Sequence, residues 1–273
     1  MIDSLSAFLQ RHSRMFILSG AGVSTASGIP DYRDEQGRWK RSPPVDGRAF
    51  IESEAVRRRY WARSLIGWNT IAQARPNPAH EALARLQAGA RVHRLVTQNV
   101  DGLHQRAGSR DVIELHGSIA NVVCIECGTH IARSSVQQWL HAANPMHARE
   151  IATVAPDGDA DVDRVDFDAF QIPGCPHCGG VLKPDVVFFG DVVPRDRVAA
   201  AMEALEQADA MLVVGSSLML YSGYRFCERA HRWNKPIAAI NLGRTRADHL
   251  FEVKIERPCV QVLVELIAAL PSL

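Results

Sequence analysis

Met15-Phe16-Ile17-Leu18-Ser19-Gly20-Ala21-Gly22-Val23-Ser24-Thr25 is the stretch that decides the fold. Its apolar opening reads as a short buried β-strand. Glycines at 20 and 22 then permit a tight turn and a close approach of backbone to a ligand. Ser24, Thr25 and Ser27 add hydroxyls where a helix can begin, and free N–H groups there suit a diphosphate. The chain continues as Gly28-Ile29-Pro30-Asp31-Tyr32-Arg33-Asp34, a charged, mobile segment placed to fold over whatever the glycines hold.

Further apolar runs repeat this design. Val92 to Thr97 reads as a second core strand leading into the polar loop Gln98-Asn99-Val100-Asp101-Gly102-Leu103-His104. Such a loop lies at the carboxyl end of a strand, where open α/β sheets bind ligands. Val112 to Leu115 closes on His116-Gly117, Met211 to Val214 opens into Gly215-Ser216-Ser217, and Pro236 to Ile240 opens into Asn241-Leu242-Gly243. Helical patterns fall between them: Met1 to Met15, Ala49 to about Ala74, a helix that starts from the turn Pro76-Asn77-Pro78-Ala79 and ends near Gly89, and Val260 to Leu270. Strands alternating with helices imply an α/β fold, a Rossmann-like parallel sheet. The rhythm breaks twice and resumes at Val186-Val187-Phe188-Phe189-Gly190. Residues 1–37, 81–117 and 184–273 are therefore expected to form the nucleotide-binding domain. Residues 38–80 (a helical insertion) and 118–183 together form a second, smaller domain, and the latter holds a polar acidic loop from Ala155 to Asp161.

A chain of 273 residues with 47% hydrophobic content can bury a large core. Its formal net charge of +1 gives no electrostatic case for nucleic acid or a membrane surface. No run approaches the roughly 20 apolar residues of a membrane span. The amphipathic start (Leu5, Phe8, Leu9) leads straight into the first strand, so no cleaved presequence is expected and a cytoplasmic, bacterial protein is favoured. A monomer is the expected state.

Four of the six cysteines form two Cys-x-x-Cys pairs, Cys124/Cys127 and Cys175/Cys178, each followed by glycine. Two such knuckles supply four thiolates to one structural Zn²⁺. The rival reading, a redox dithiol at Cys175-Pro176-His177-Cys178, is weaker because the pairs are matched. His116 alone reads as a core histidine, but it ends a strand beside two other strand ends. Gln98, Asn99 and Asp101 mark one of these, and the glycines the other. An imidazole with an ordinary pKa near 6.5 suits removal of a hydroxyl proton at neutral pH. Ser216, Ser217 and Asn241 are candidates for a dinucleotide's phosphates and ribose, or else caps and turn residues. The residues themselves reach a nucleotide-binding enzyme with a histidine base and a zinc module. They do not reach the reaction.

Read in order, Gly20-Ala21-Gly22 through Gly28-Ile29-Pro30-Asp31-Tyr32-Arg33, Thr97-Gln98-Asn99-Val100-Asp101-Gly102, Leu115-His116-Gly117, the paired cysteines, Phe188-Phe189-Gly190-Asp191, Gly215-Ser216-Ser217-Leu218 and Asn241 resemble the signatures of the sirtuins. These are NAD-dependent protein deacylases. Pro76-Asn77-Pro78-Ala79-His80, Ala155-Pro156-Asp157-Gly158-Asp159 and Tyr221-Ser222-Gly223-Tyr224-Arg225-Phe226 look like the class II branch, which includes a lipoamidase and ADP-ribosyltransferase.

The resemblance implies NAD⁺ as co-substrate. Ala21, Gly22, Thr25, Arg33, Ser216 and Ser217 would surround its phosphates. Asn241 would hold the adenosine ribose, and the backbone near Cys259 would meet the adenine. Ile29, Asp31, Asn99 and Asp101 would hold nicotinamide, and Gly20, Tyr32, Gln98, Gly215, Leu242 and Gly243 would also contact the co-substrate. An acyl-lysine oxygen would displace nicotinamide from the ribose. His116, helped by Asn99 and Asp101, would then deprotonate a ribose hydroxyl, giving O-acyl-ADP-ribose and free lysine. The substrate, an acylated-lysine protein, would add as a strand beside Val187, Phe189, Gly190 and Leu218. Tyr60 and Arg63 resemble the pair that reads acidic acyl groups in another branch. Protein mono-ADP-ribosyl transfer and a non-catalytic NAD sensor are the alternative functions.

Overall fold

The protein is described by a computed structural model over residues 2–40, 44–147, 153–154, 160–161 and 167–270. The loop Ala155-Pro156-Asp157-Gly158-Asp159, on which the class II resemblance partly rests, lies outside the described residues.

In chain order the strands are β1 (Met15–Ser19), β2 (Val92–Thr97), β3 (Ile113–Glu114), β4 (Gly117–Cys124), β5 (His130–Ala132) and β6 (Thr153–Val154). They continue with β7 (Ala160–Asp161), β8 (Leu182–Val186), β9 (Ala210–Val214), β10 (Ile237–Ile240) and β11 (Val253–Ile255). The helices are α1 (Ile2–Arg11), α2 (Gly47–Glu52), α3 (Glu54–Gln73), α4 (Pro78–Ala88) and α5 (Leu103–Arg106). After them come α6 (Arg133–Ala143), α7 (Arg195–Gln207), α8 (Tyr221–Arg232) and α9 (Cys259–Ala269).

Six strands form one parallel sheet in the spatial order β3-β2-β1-β9-β10-β11. This is the doubly wound order of dinucleotide-binding folds, and its direction reverses between β1 and β9. Every residue of β1, β9 and β10 is buried, because helices cover both faces and leave no polar side to the strands. Alternate residues feed two cores. Ile17, Leu212, Val214 and Ile240 pack with α1, α4 and α9, while Phe16, Leu18, Met211 and Val213 pack with α7 and α8.

A second, antiparallel sheet, β5-β4-β8, packs with α3 and α6 around Phe50, Trp61, Leu65, Val136 and Leu140. The strand approaching Val187 thus belongs to this small sheet and ends at Val186. Beyond it the chain makes a single bridge, Phe189 to Asp46. The helix expected from Ala49 to Ala74 is broken at Ser53, whose extended backbone ends α2 while its hydroxyl accepts from Val56 N and caps α3. A serine that caps competes with helix continuation, and here the cap prevails.

Arg133 joins α6 to α3. Its buried guanidinium lies between Trp61 and Trp68 (5.3 and 4.9 Å to the ring centres) and donates to Ser64 O and Oγ and to Gln137 Oε1. Burial lowers its pKa to about 10.

A crevice built on two interlocked glycine loops

At the reversal point the loops after β1 and β9 touch backbone to backbone. A Cβ on Gly20 would lie 2.8 Å from Gly215 O, and one on Gly215 would lie 2.6 Å from Val23 N. Gly22 N donates to Gly215 O at 2.9 Å. Only glycine permits this approach, and Gly215 also has a positive φ of 62°. The hydroxyl-rich segment after Gly22 forms two 3-10 turns, Ala21–Val23 and Thr25–Ser27, where an α-helix start was expected. Gly28, at φ 84°, ends the second turn and turns the chain toward the charged segment.

A cavity of about 940 Å³ opens above these loops. Gly20, Ala21, Gly22, Gly215, Ser216, Ser217, Asn241 and Leu242 line one end, and Ile29, Asp31, Tyr32, Arg33, Gln98, Asn99, Asp101 and His116 line the middle. Val187, Phe189, Gly190 and Leu218 border it, and Tyr60 and Arg63 lie in its wall. Three expected residues are not in the lining. Thr25 is exposed and donates to Gly22 O, Gly243 packs against the Glu35 backbone, and Cys259 is buried under Ile240 with its thiol pushed up to about 12.

Charge and aromatic contacts close the segment beyond Pro30 over the cavity. Asp31 pairs with Lys40, and Arg33 donates to Gly37 O while its guanidinium stacks 3.8 Å from the Trp39 ring centre. Trp39 and Tyr32 pack on Phe189 at 5.4 and 5.9 Å.

His116 stands at the floor. Its Nδ1 lies 2.9 Å from the carbonyl oxygen of Gln98, which can only accept, so Nδ1 carries the proton. Nε2 therefore keeps the lone pair, 3.0 Å from Ser222 Oγ. Desolvation lowers the pKa to about 4, opposed by the Gln98 carbonyl and reinforced by Arg225 and Arg197. The imidazole is a neutral base at neutral pH.

Beside it runs a chain of directed hydrogen bonds that sequence reasoning did not find. Asn77 caps α4, donates through Nδ2 to Val23 O, and gives its own N–H to His80 Nδ1. His80 Nε2 then faces Ser24 Oγ at 3.4 Å, and Ser24 donates to Asp101 Oδ2 at 2.7 Å. Asn99 Nδ2 donates to Ser24 Oγ and to Gly20 O. Asn99 and Asp101 are thus fixed through a serine and a histidine lying in two other segments. The run Pro76-Asn77-Pro78-Ala79-His80 at the start of α4 was the available signal, read as a helix start and as part of the class II resemblance, with no role given to His80 itself. His104, fully buried behind this chain, bonds Ser19 Oγ through Nε2 at 2.8 Å, and burial lowers its pKa to about 3.

The four cysteines converge. All four sulfurs lie within 4.8 Å of one another, with Cys124 to Cys178 at 3.5 Å and Cys127 to Cys175 at 3.8 Å. A tetrahedron of thiolates about 2.3 Å from zinc has edges of about 3.8 Å. The donor set and its spacing fit a closed, structural Zn²⁺.

A doubly wound sheet, a crevice at its reversal point, a neutral histidine in that crevice and a separate thiolate cluster define a nucleotide-binding enzyme with a structural metal module. The Sir2 family model matches residues 20–222, and the chain belongs to the Sir2 family. It is 57% identical over 267 residues to an NAD-dependent protein deacetylase of Bordetella bronchiseptica, covering 98% of this chain and 97% of the relative. NAD-dependent protein deacetylase 2 of Bradyrhizobium diazoefficiens is 58% identical over 265 residues, with 97% of each chain covered. Among solved structures, a complex of Sir2 with p53 peptide and NAD⁺ superposes with a TM-score of 0.79 at 29% identity, covering 98% of both chains. Sir2Tm bound to a propionylated peptide gives 0.77 at 28% identity, covering 98% of this chain and 97% of the other.

Proposed function

We propose that this protein is an NAD-dependent protein-lysine deacylase that releases nicotinamide and O-acyl-ADP-ribose. The observation that carries the reading is the position of Nε2 of His116, a lone pair held by the Gln98 carbonyl and facing the same cavity as Asn99 and Asp101. Pure binding of NAD⁺ needs no such base.

The interlocked loops and Ser217 hold the diphosphate, and Asn241 holds the adenosine ribose. Asn99 and Asp101, fixed by Ser24, hold the nicotinamide end. His116 takes a proton from a ribose hydroxyl at Nε2. The acylated segment lies as an added strand between residues 187–190 and 218–221, a pairing in which backbone gives affinity and side-chain pockets give selectivity. Its acyl chain enters between Ile71, Ile119, Tyr60 and Val56. Arg59 and Arg63 stand in the same wall and favour an acidic acyl group, since a guanidinium pairs with a carboxylate through two parallel bonds. The assignment of 38–80 and 118–183 to a small domain belongs to this reading.

The test is mass spectrometry of purified protein with NAD⁺ and a panel of acyl-lysine peptides, beside His116→Ala. Acyl-ADP-ribose that disappears in the variant supports deacylation. ADP-ribose attached to protein would favour the transferase instead. Untouched NAD⁺ would leave a binding role.

A further inference from the structure

We infer that Ser222 is a positioning residue for His116, the hydroxyl that holds the base nitrogen before the ribose arrives; the inference rests on the deacylase reading above. The argument begins with donors. Gln98 O can only accept, so the Nδ1 proton is spent there and Nε2 has a lone pair to satisfy. Ser222 Oγ, at 3.0 Å, is the group that satisfies it, and the hydroxyl is the donor.

The local fold delivers both ends of this clamp together. Ser222 is the second residue of α8, whose start follows the Gly215 loop directly. The next residue, Gly223, lets the helix lie against the side chain of Gln98: a Cβ there would fall 2.5 Å from Gln98 Oε1. Gln98 in turn donates to Ser216 Oγ at 2.7 Å. One helix start therefore fixes the residue whose carbonyl orients Nδ1 and also presents the hydroxyl that meets Nε2. The ring is held from both edges, in one tautomer, with its basic lone pair turned to the cavity. A serine hydroxyl turns about a single bond, so it can yield this place to a ribose hydroxyl and then accept from the protonated ring.

This role predicts a split between the two halves of the reaction. Nicotinamide release needs no base, whereas formation of acyl-ADP-ribose does. Ser222→Ala should slow acyl-ADP-ribose formation about tenfold, the worth of one hydrogen bond to a reacting group. Exchange of labelled nicotinamide into NAD⁺ and the KM values for NAD⁺ and peptide should stay within twofold. Ser222→Thr, which keeps a hydroxyl, should restore most of the rate. Equal rates for Ser222→Ala and the parent would overturn the inference while leaving the deacylase reading intact. So would equal losses in exchange and product formation, which mark a merely structural residue, and so would a Thr variant as slow as the Ala variant. A parent protein that performs neither half-reaction would instead overturn the deacylase reading, and this inference with it.

Discussion

Replacing Gly215 by alanine tests whether the crevice depends on contact between the two loops or on glycine's backbone freedom alone. Gly215 has a φ of 62° and its added Cβ would lie 2.6 Å from Val23 N, against an ordinary contact of at least 3.4 Å. The loops must therefore part by 3.4 − 2.6 = 0.8 Å, backbone against backbone. Left-handed backbone costs an alanine about 1–2 kcal/mol, and overpacking adds about 1–3 kcal/mol. Gly28 provides the control, since it has a φ of 84° but nothing within 4 Å of its Cβ. Gly28→Ala should lose about 1–2 kcal/mol and Gly215→Ala about 2–5 kcal/mol, the larger loss of the two, measured by urea unfolding. Calorimetric titration with NAD⁺ should show at least a tenfold weaker complex for Gly215→Ala, because the displaced loops line the cavity in which the proposed function seats the diphosphate. Equal stability losses in the two variants would refute the contact argument. So would unchanged NAD⁺ affinity in Gly215→Ala.

Three further outcomes follow from the site. His80 and His116 have pKa values lowered from 6.5 to about 4, and His104 to about 3, so the unfolded chain binds protons that the folded one refuses. Stability should thus fall as pH drops from 6.5 toward 4, by up to about 4 kcal/mol per pH unit if all three contribute; a urea midpoint constant between pH 7 and 5 would contradict this. Removal of zinc with a strong chelator should release one ion per chain and lower the melting temperature, read by metal analysis and calorimetry, and freshly purified protein without zinc would refute the assignment. Arg63→Ala should abolish activity on glutaryl-type lysine while sparing acetyl-lysine; equal losses on both would show that charge does not select the chain.

The strands β1, β9 and β10 were legible because they are apolar runs, each ending in glycine or a small polar loop. The edge strand β11 was not read as a strand, since Lys254 interrupts its three residues, and the runs that were read do not give the order of the strands. The reversal between β1 and β9 shows itself only when Gly20, Gly22 and Gly215 meet. The cysteines were legible from the matched spacing within each pair, whatever the long separation between the pairs. Less legible were contacts between distant segments. Nothing around Arg133 announces that Trp61 and Trp68 will enclose it, since its partners lie on another helix nearly seventy residues away. His80 likewise looks like part of a helix start, and its link to Asp101 depends on Ser24 from a third segment. Ser53 misled for a local reason: the pattern around it continues across the cap, and a single hydroxyl decides the break.

The strand β4 begins immediately after His116 and ends at Cys124, while its partner β8 runs into the segment beside the cavity, with Val187 N donating to His116 O at 2.8 Å. The four-cysteine cluster and the cavity thus lie at opposite ends of one antiparallel pair. Thermodynamic linkage makes any such arrangement reciprocal. Whatever free energy zinc lends to the alignment of β4 is felt as affinity in the crevice, and a ligand that orders His116 and Val187 returns the same factor as slower metal loss. The thiolate cluster stands apart from the cavity, yet any effect its occupancy has on the crevice acts with equal strength in the other direction.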